Sequence, residues 1–332
     1  MKVSFILPAF KGRFLKEAIT SILDQTYDNI ELVVVDDCSP DNLEQIVCEL
    51  SDQSPRLRSM KENGSFRYYR NNTNIGRGNL VKAWSRAMLY ATGDWCCLAS
   101  DDDVYMPRYT EEMVRLTEKY PKVDIVHCRN CCIDSSGRIT SIGGPRDEFE
   151  NGIQMMFSSS VLRIHQRQAD LMFRKSAYDR FGFPAYPVAW YSDHMMAIRY
   201  AWENGSACSP DILFKFRMSG DNISSTPGDV AAKSAAALMF LDDSNKLLKT
   251  ARPQNETDEI LFAAIGWHLE ATVCDELVWL YNQLPRKQFL KILHSVNLTG
   301  NIKNWLFQQR TKDKKFMKIR RHIPVCLGGW KC

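Results

Sequence analysis

Apolar runs of strand length and apolar positions at helical spacing alternate along the first 130 residues. VSFIL (residues 3–7) is an unbroken apolar run. Phe14, Leu15, Ala18, Ile19, Ile22 and Leu23 then recur at the intervals of one helix face. ELVVV (31–35) is a second buried strand, rich in β-branched residues, and FRYY (66–69), WCCLA (95–99) and DIVHC (124–128) predict three more. Between them lie helices over 78–91, stopped by Gly93, and from Pro107 to Tyr120. Strands alternating with helices predict an α/β fold, a Rossmann-like, mostly parallel sheet flanked by helices.

The pattern then changes twice. SSGRITSIGGPRDEFENG (135–152) is polar and glycine-rich and predicts a hairpin or mobile loop. In WYSDHMMAIRYAWENG (190–205) Ser192 is the expected N-cap of a helix running through Trp202. After about residue 229 three wide-faced helical stretches follow, the last being RKQFLKILHSV (286–296). The expected division is residues 1–226, with a first half to 130 and a second half over 131–226, and a helical C-terminal region over 227–332.

Composition adds limits. The 332 residues are 45% hydrophobic and 25% charged, ordinary for a globular protein, and no apolar run approaches the roughly 18 residues of a membrane span. The opening MKVSFILPAFKGRF predicts a first strand rather than a secretory leader. The eleven cysteines include one CxxC, Cys128 to Cys131, with no second pair at zinc spacing, which argues against structural zinc and for a reducing, cytoplasmic location. The net charge of +4 is uneven: nine Lys or Arg and one Asp lie from Lys303 onward. An acidic body with a basic tail predicts an anionic partner surface, here a peripheral contact with the inner face of the plasma membrane, with a homodimer contact or a packed helix as alternatives. No nucleic-acid partner is expected.

Ligands of open α/β sheets bind beyond the carboxyl ends of the strands. The first strand ends at Pro8-Ala9-Phe10, the second at Asp36-Asp37, and the fourth at Ser100-Asp101-Asp102-Asp103. Two acidic clusters on one rim point to a hard cation, Mn²⁺ or Mg²⁺, which would also neutralise phosphates of a second ligand. No G-x-G-x-x-G follows the first strand and no P-loop motif occurs, so dinucleotide-binding and P-loop readings lose their support.

VSFILPAFKGRFLKEAITSILDQTYDNIELVVVDDCSPD, followed in order by NTNIGRGNLVKAW, ATGDW and ASDDDVYMP, resembles family 2 glycosyltransferases of the GT-A fold over roughly residues 1–225. The resemblance implies an inverting, metal-dependent hexosyltransferase. It would move a sugar from a nucleotide-diphosphate donor, a UDP-sugar by default, to a saccharide or lipid-linked acceptor in surface polysaccharide or glycolipid synthesis.

The resemblance also implies residue roles. Pro8 and Phe10 would line the base pocket, Asp36 and Asp37 would bond base or ribose, and Asn74 and Arg77 would close over the nucleotide. Asp101 would face the ribose or sugar, and Asp102 would hold the metal with Asp103 as an extra ligand. Asp193 would be the base that deprotonates the acceptor, with Trp190 and Tyr191 as candidate acceptor-stacking residues. Arg217 is left between a phosphate contact and a structural ion pair, while Asn222 and Ser224 match the family stretch.

Two positions depart from the family pattern: Ala99 stands where an Asp is usual and Ser219 where a His is usual. They leave open a catalytically impaired nucleotide-sugar-binding scaffold; a sugar nucleotidyltransferase is the other alternative.

Overall fold

The computed structural model describes residues 1–164, 166–220, 228–295 and 303. Ten strands form one sheet: β1 (Val3–Ala9), β2 (Ile30–Asp36), β3 (Phe66–Arg70), β4 (Trp95–Leu98), β5 (Val104–Tyr105), β6 (Ile125–Asp134), β7 (Ile139–Ile142), β8 (Phe149–Glu150), β9 (Leu171–Arg174) and β10 (Ser206–Met218). The spatial order is β3-β2-β1-β4-β9-β6-β10-β5, with β7 added to β6 and β8 to β10. Strands β3, β2, β1 and β4 are mutually parallel, and β10 runs parallel to β6. Strand β9 lies antiparallel between β4 and β6, so its amino end reaches the rim where the parallel strands have their carboxyl ends.

Strands predicted from apolar runs appear where both faces are covered: every residue of β2 and β4 is buried. The helices are α1 (Leu15–Leu23), α2 (Leu43–Gln53), α3 (Pro55–Glu62), α4 (Leu80–Met88), α5 (Tyr109–Lys119), α6 (Gly152–Ser160), α7 (Lys175–Phe181), α8 (Ser192–Ala201), α9 (Val230–Thr250), α10 (Glu256–Asn282) and α11 (Arg286–Ser295). Helices α1, α2, α3 and α5 cover one sheet face, through Leu15, Ile19, Leu43, Val47, Leu57 and Met113 packed on Phe5, Leu7, Leu32 and Val34. The opposite face, from Ile6, Val33 and Leu98, packs against α4, α6 and α8. The same core continues without a break into α9, α10 and α11 through Phe240, Ile265, Leu277 and Phe289. The C-terminal helices thus share this core by packing on other helices, α10 on α6 and α9, and α9 on α8.

The polar 135–152 stretch does form a hairpin, β7 turning back on β6. It is followed by α6, which periodicity did not reveal. There Asn151 and Gln154 make a reciprocal capping box. No helix among the described residues is long and apolar enough to cross a membrane. Asn222, Ser224 and the KDKKFMKIRRH tail lie outside the described residues.

Candidate active site

At the β1 end, Asp101 Oδ2 accepts from the backbone N–H groups of both Phe10 and Lys11, each at 2.7 Å. The carboxylate ties the loop after β1 to the loop after β4 and leaves the Phe10 ring 39% exposed at the mouth of the rim. Burial raises the Asp101 pKa despite these bonds. Gly93 lets β1 and β4 meet: a Cβ there would stand 2.6 Å from Ser4 Oγ and 2.8 Å from the Lys2 carbonyl oxygen.

The paired aspartates at the β2 end divide their work. Asp36, fully buried, accepts from Ser39 N–H (2.7 Å) and Tyr68 OH (2.8 Å) and forms an ion pair with Arg70. Its oxygens are committed to holding the strand end, not offered to a nucleotide. Asp37 accepts from Asn71 Nδ2 and Ile75 N–H through Oδ1 and from Gly76 N–H at 2.7 Å through Oδ2. It organises the 71–76 loop, in which Asn74 Oδ1 in turn accepts from Arg77 N–H. Gly76 permits this approach, since a Cβ would sit 3.0 Å from Asp37 Oδ2. Arg77 itself is exposed.

The acidic triplet splits in the same way. Asp103 is 2% exposed, and its Oδ1 accepts from Arg217 N–H at 2.8 Å, joining the β4 loop to β10. Burial, then the charge of Asp102, drives its pKa far up. Arg217, 1% exposed, resolves its own alternatives. Its Nε donates to the Asp102 carbonyl (2.7 Å), its Nη2 pairs with Glu17 at 2.6 Å, and the guanidinium lies 4.3 Å from the Phe14 ring centre. It is a structural clamp between α1, β10 and the aspartate loop.

Asp102 is pushed up to about 6, first by burial and then by the charge of Asp101. Among the described residues no three His, Cys, Asp or Glu side chains gather as a metal-binding group. The donor chemistry nonetheless suits a hard dication. Two neighbouring carboxylates oppose each other's ionisation, and a cation beside Asp102 would offset both costs. With Asp103 drawn to β10 and alanine at position 99, Asp102 is the protein ligand the rim offers, and diphosphate and water oxygens would complete the shell.

Asp193 stands in the first turn of α8, where its Oδ1 accepts from His194 N–H (2.9 Å) and the helix dipole favours a negative charge. The cap position is held by Tyr191 in left-handed backbone, not by Ser192. Ser192 is the first helical residue, and its buried hydroxyl has no hydrogen-bond partner among the described residues. The faces of the two expected acceptor-stacking residues are already in use. The Lys233 ammonium stands 4.0 Å from the Trp190 ring centre, and Tyr191 stacks on Phe240 at 4.6 Å.

A third carboxylate, Asp170, joins the site from the amino end of β9. It is fully buried. Its Oδ2 accepts from Asn130 Nδ2 (2.6 Å) and Arg167 N–H (2.9 Å), whereas Oδ1 has no hydrogen-bond partner among the described residues. Burial, with a smaller contribution from the charge of Asp193, raises its pKa to about 7. The Tyr105 phenol, raised mainly by burial, feels both Asp103 and Asp170. Asp103 and Asp170 thus act on the same phenol, and Asp193 acts on Asp170. Asp170 escaped the strand-end reading because that rule looks at carboxyl ends, and the relevant end of an antiparallel strand is its start.

The mostly parallel sheet, with β5, β7, β8 and β9 antiparallel to their neighbours, has the GT-A fold. The chain belongs to glycosyl transferase family 2, whose model matches residues 4–182. It is similar to an uncharacterized glycosyltransferase of Nostoc sp. (27% identity over 195 residues, 57% of this chain and 56% of that protein). It is also similar to one of Rickettsia prowazekii (35% over 134 residues, 40% of this chain and 37% of that protein). The chain thus spans about half the length, or less, of these two relatives. In fold it is similar to S. aureus TarS in complex with UDP-GlcNAc (TM-score 0.58, 17% identity, covering 94% of this chain and 88% of that one). It is likewise similar to the mannosyltransferase PcManGT of Pyrobaculum calidifontis in complex with GDP-Man and Mn²⁺ (TM-score 0.55, 16% identity, covering 96% of this chain and 83% of that one).

Proposed function

We propose that this chain transfers a hexosyl group, with inversion, from a nucleotide-diphosphate sugar to an acceptor hydroxyl. A UDP-sugar is the default donor and a saccharide or lipid-linked alcohol the acceptor, in surface polysaccharide or glycolipid assembly. What supports the reading is the acidic loop after β4, with Asp101 and Asp102, next to β9, at whose start Asp170 lies near enough to Asp193 in the first turn of α8 for their charges to interact.

The Phe10 ring offers a face to the base, and the Asp37-braced loop closes beside it. The acceptor oxygen attacks the anomeric carbon from the α8 side while Asp193 takes its proton, and the bond to the diphosphate oxygen breaks on the far side. A divalent ion, Mn²⁺ or Mg²⁺, when bound at Asp102, neutralises the departing diphosphate. The complexes of TarS with UDP-GlcNAc and of PcManGT with GDP-Man and Mn²⁺ support this donor class and this ion. The division near residue 226 and a tail contact with anionic membrane belong to the same proposal.

Release of free nucleoside diphosphate from UDP-GlcNAc, UDP-glucose, UDP-galactose and GDP-mannose, with and without Mn²⁺, tests it. Metal-stimulated release from one donor is expected. No release from any of them, together with no thermal shift on adding UDP and Mn²⁺, would sink the reading.

A further inference from the structure

Three residues lacking glycine's freedom adopt left-handed backbone just before the helix that carries Asp193: Val188 (φ 48°, ψ 23°), Ala189 (φ 56°) and Tyr191 (φ 64°). A β-branched valine there is a true outlier, and such backbone persists only where the surroundings over-determine it. Those surroundings come from one stripe of α9. The Tyr186 hydroxyl donates to Asp243 Oδ2 at 2.7 Å, Tyr191 stacks on Phe240 with ring planes 16° apart, and Lys233 Nζ lies 4.0 Å from the Trp190 centroid. Positions 233, 240 and 243 fall on one helix face.

Lys233 is the unexpected member. An ammonium only 1% exposed is costly to bury, and methionine would fill the same space without that cost. Methionine would lack the attraction of an ammonium to the ring face, which is strongest where water is excluded. Glu276 on α10 adds an opposite charge near enough to favour the cation.

We propose that Lys233 is a positioning residue for the acceptor-side base. Its ammonium pins the Trp190 ring and so holds the strained 188–191 segment. That segment fixes where α8 begins and where Asp193 points. The catalytic half of this inference rests on the base role proposed above for Asp193.

The test compares Lys233→Met, Lys233→Arg and Trp190→Leu in the full chain. Amide hydrogen exchange is followed in peptides covering 186–195 and, as a control, 3–9. UDP binding with Mn²⁺ is measured by calorimetry, and kcat and donor KM by nucleoside diphosphate release. Lys233→Met is expected to speed exchange over 186–195 by about tenfold or more, leaving 3–9 and UDP affinity unchanged. It should lower kcat at constant donor KM, and Lys233→Arg should return both exchange and kcat toward wild type. Trp190→Leu, which removes the ring and keeps the ammonium, should loosen the same peptide. Wild-type exchange over 186–195 in both Lys233→Met and Trp190→Leu would overturn the proposal, and so would loosening with kcat unchanged. If Asp193→Ala turns over like wild type, the base reading fails by itself, and the exchange data still decide whether Lys233 holds the segment.

Discussion

The proposed donor rim and the proposed acceptor side of this molecule are built differently. On the donor rim two carboxylates are held by backbone N–H groups of neighbouring loops: Asp101 by Phe10 and Lys11, Asp37 by Ile75 and Gly76. The side chains that shape the site thus also close the turns that carry it. On the acceptor side Asp193 rides on a helix whose entry is strained, and the restraint comes from a separate helix, α9. A self-braced rim tolerates change elsewhere, whereas a site held from a distance fails when its template does.

Four substitutions probe this contrast, beginning with the largest effect. Asp193→Ala should lower acceptor-dependent turnover by about 10²–10⁴-fold, as loss of a general base does. UDP affinity by calorimetry should stay the same, and a parallel drop in affinity would mean that the two sides are not separable. Asp37→Ala leaves the Asn71, Ile75 and Gly76 donors without their acceptor. It should cost about 3 kcal/mol in urea unfolding and weaken UDP binding as well, because brace and site are one. Unchanged stability would show that the donor rim is not self-braced.

Asp170→Asn tests the acceptor side through pH. A carboxyl raised to about 7 in the folded chain, against an ordinary value near 4, stabilises fully below about pH 4. That contribution is lost as pH rises through about 7. The wild-type Tm should therefore decline by a few degrees across this window, and the variant should show a flatter profile. An equal slope in both proteins would remove Asp170 from the account. The smallest effect belongs to Phe10→Ala. The exposed ring braces nothing, so Tm should hold while UDP affinity falls by about fivefold, the loss of roughly 1 kcal/mol of base stacking.

Much of the donor side was legible. Continuous apolar runs marked β1, β2 and β4, and the aspartates that follow them mark the rim because polar groups appear where a buried strand ends. Which oxygens remain available to a ligand was not legible. Asp36 and Asp37 are adjacent and chemically identical, yet Arg70 and Tyr68 consume the first while a loop of backbone donors shapes the second. Asp103 looked like a spare ligand until β10 supplied the N–H it accepts, 114 residues further along the chain. Ser192 looked like a helix cap because Ser favours that position, but the strained Tyr191 backbone took the role.

Alternating apolar runs and helical spacing determined the layered α/β architecture, because periodicity records which side of an element meets the core. The ordered motifs of the first 105 residues determined the family and the donor rim. Only the tertiary structure decided that β9 runs backwards, bringing Asp170 to the rim. It alone showed that Arg217 is a clamp and that α9 holds the entrance to the helix of Asp193. Strand direction and partner choice arise from contacts between distant segments, such as Tyr186 with Asp243, 57 residues apart, and local periodicity carries no record of them.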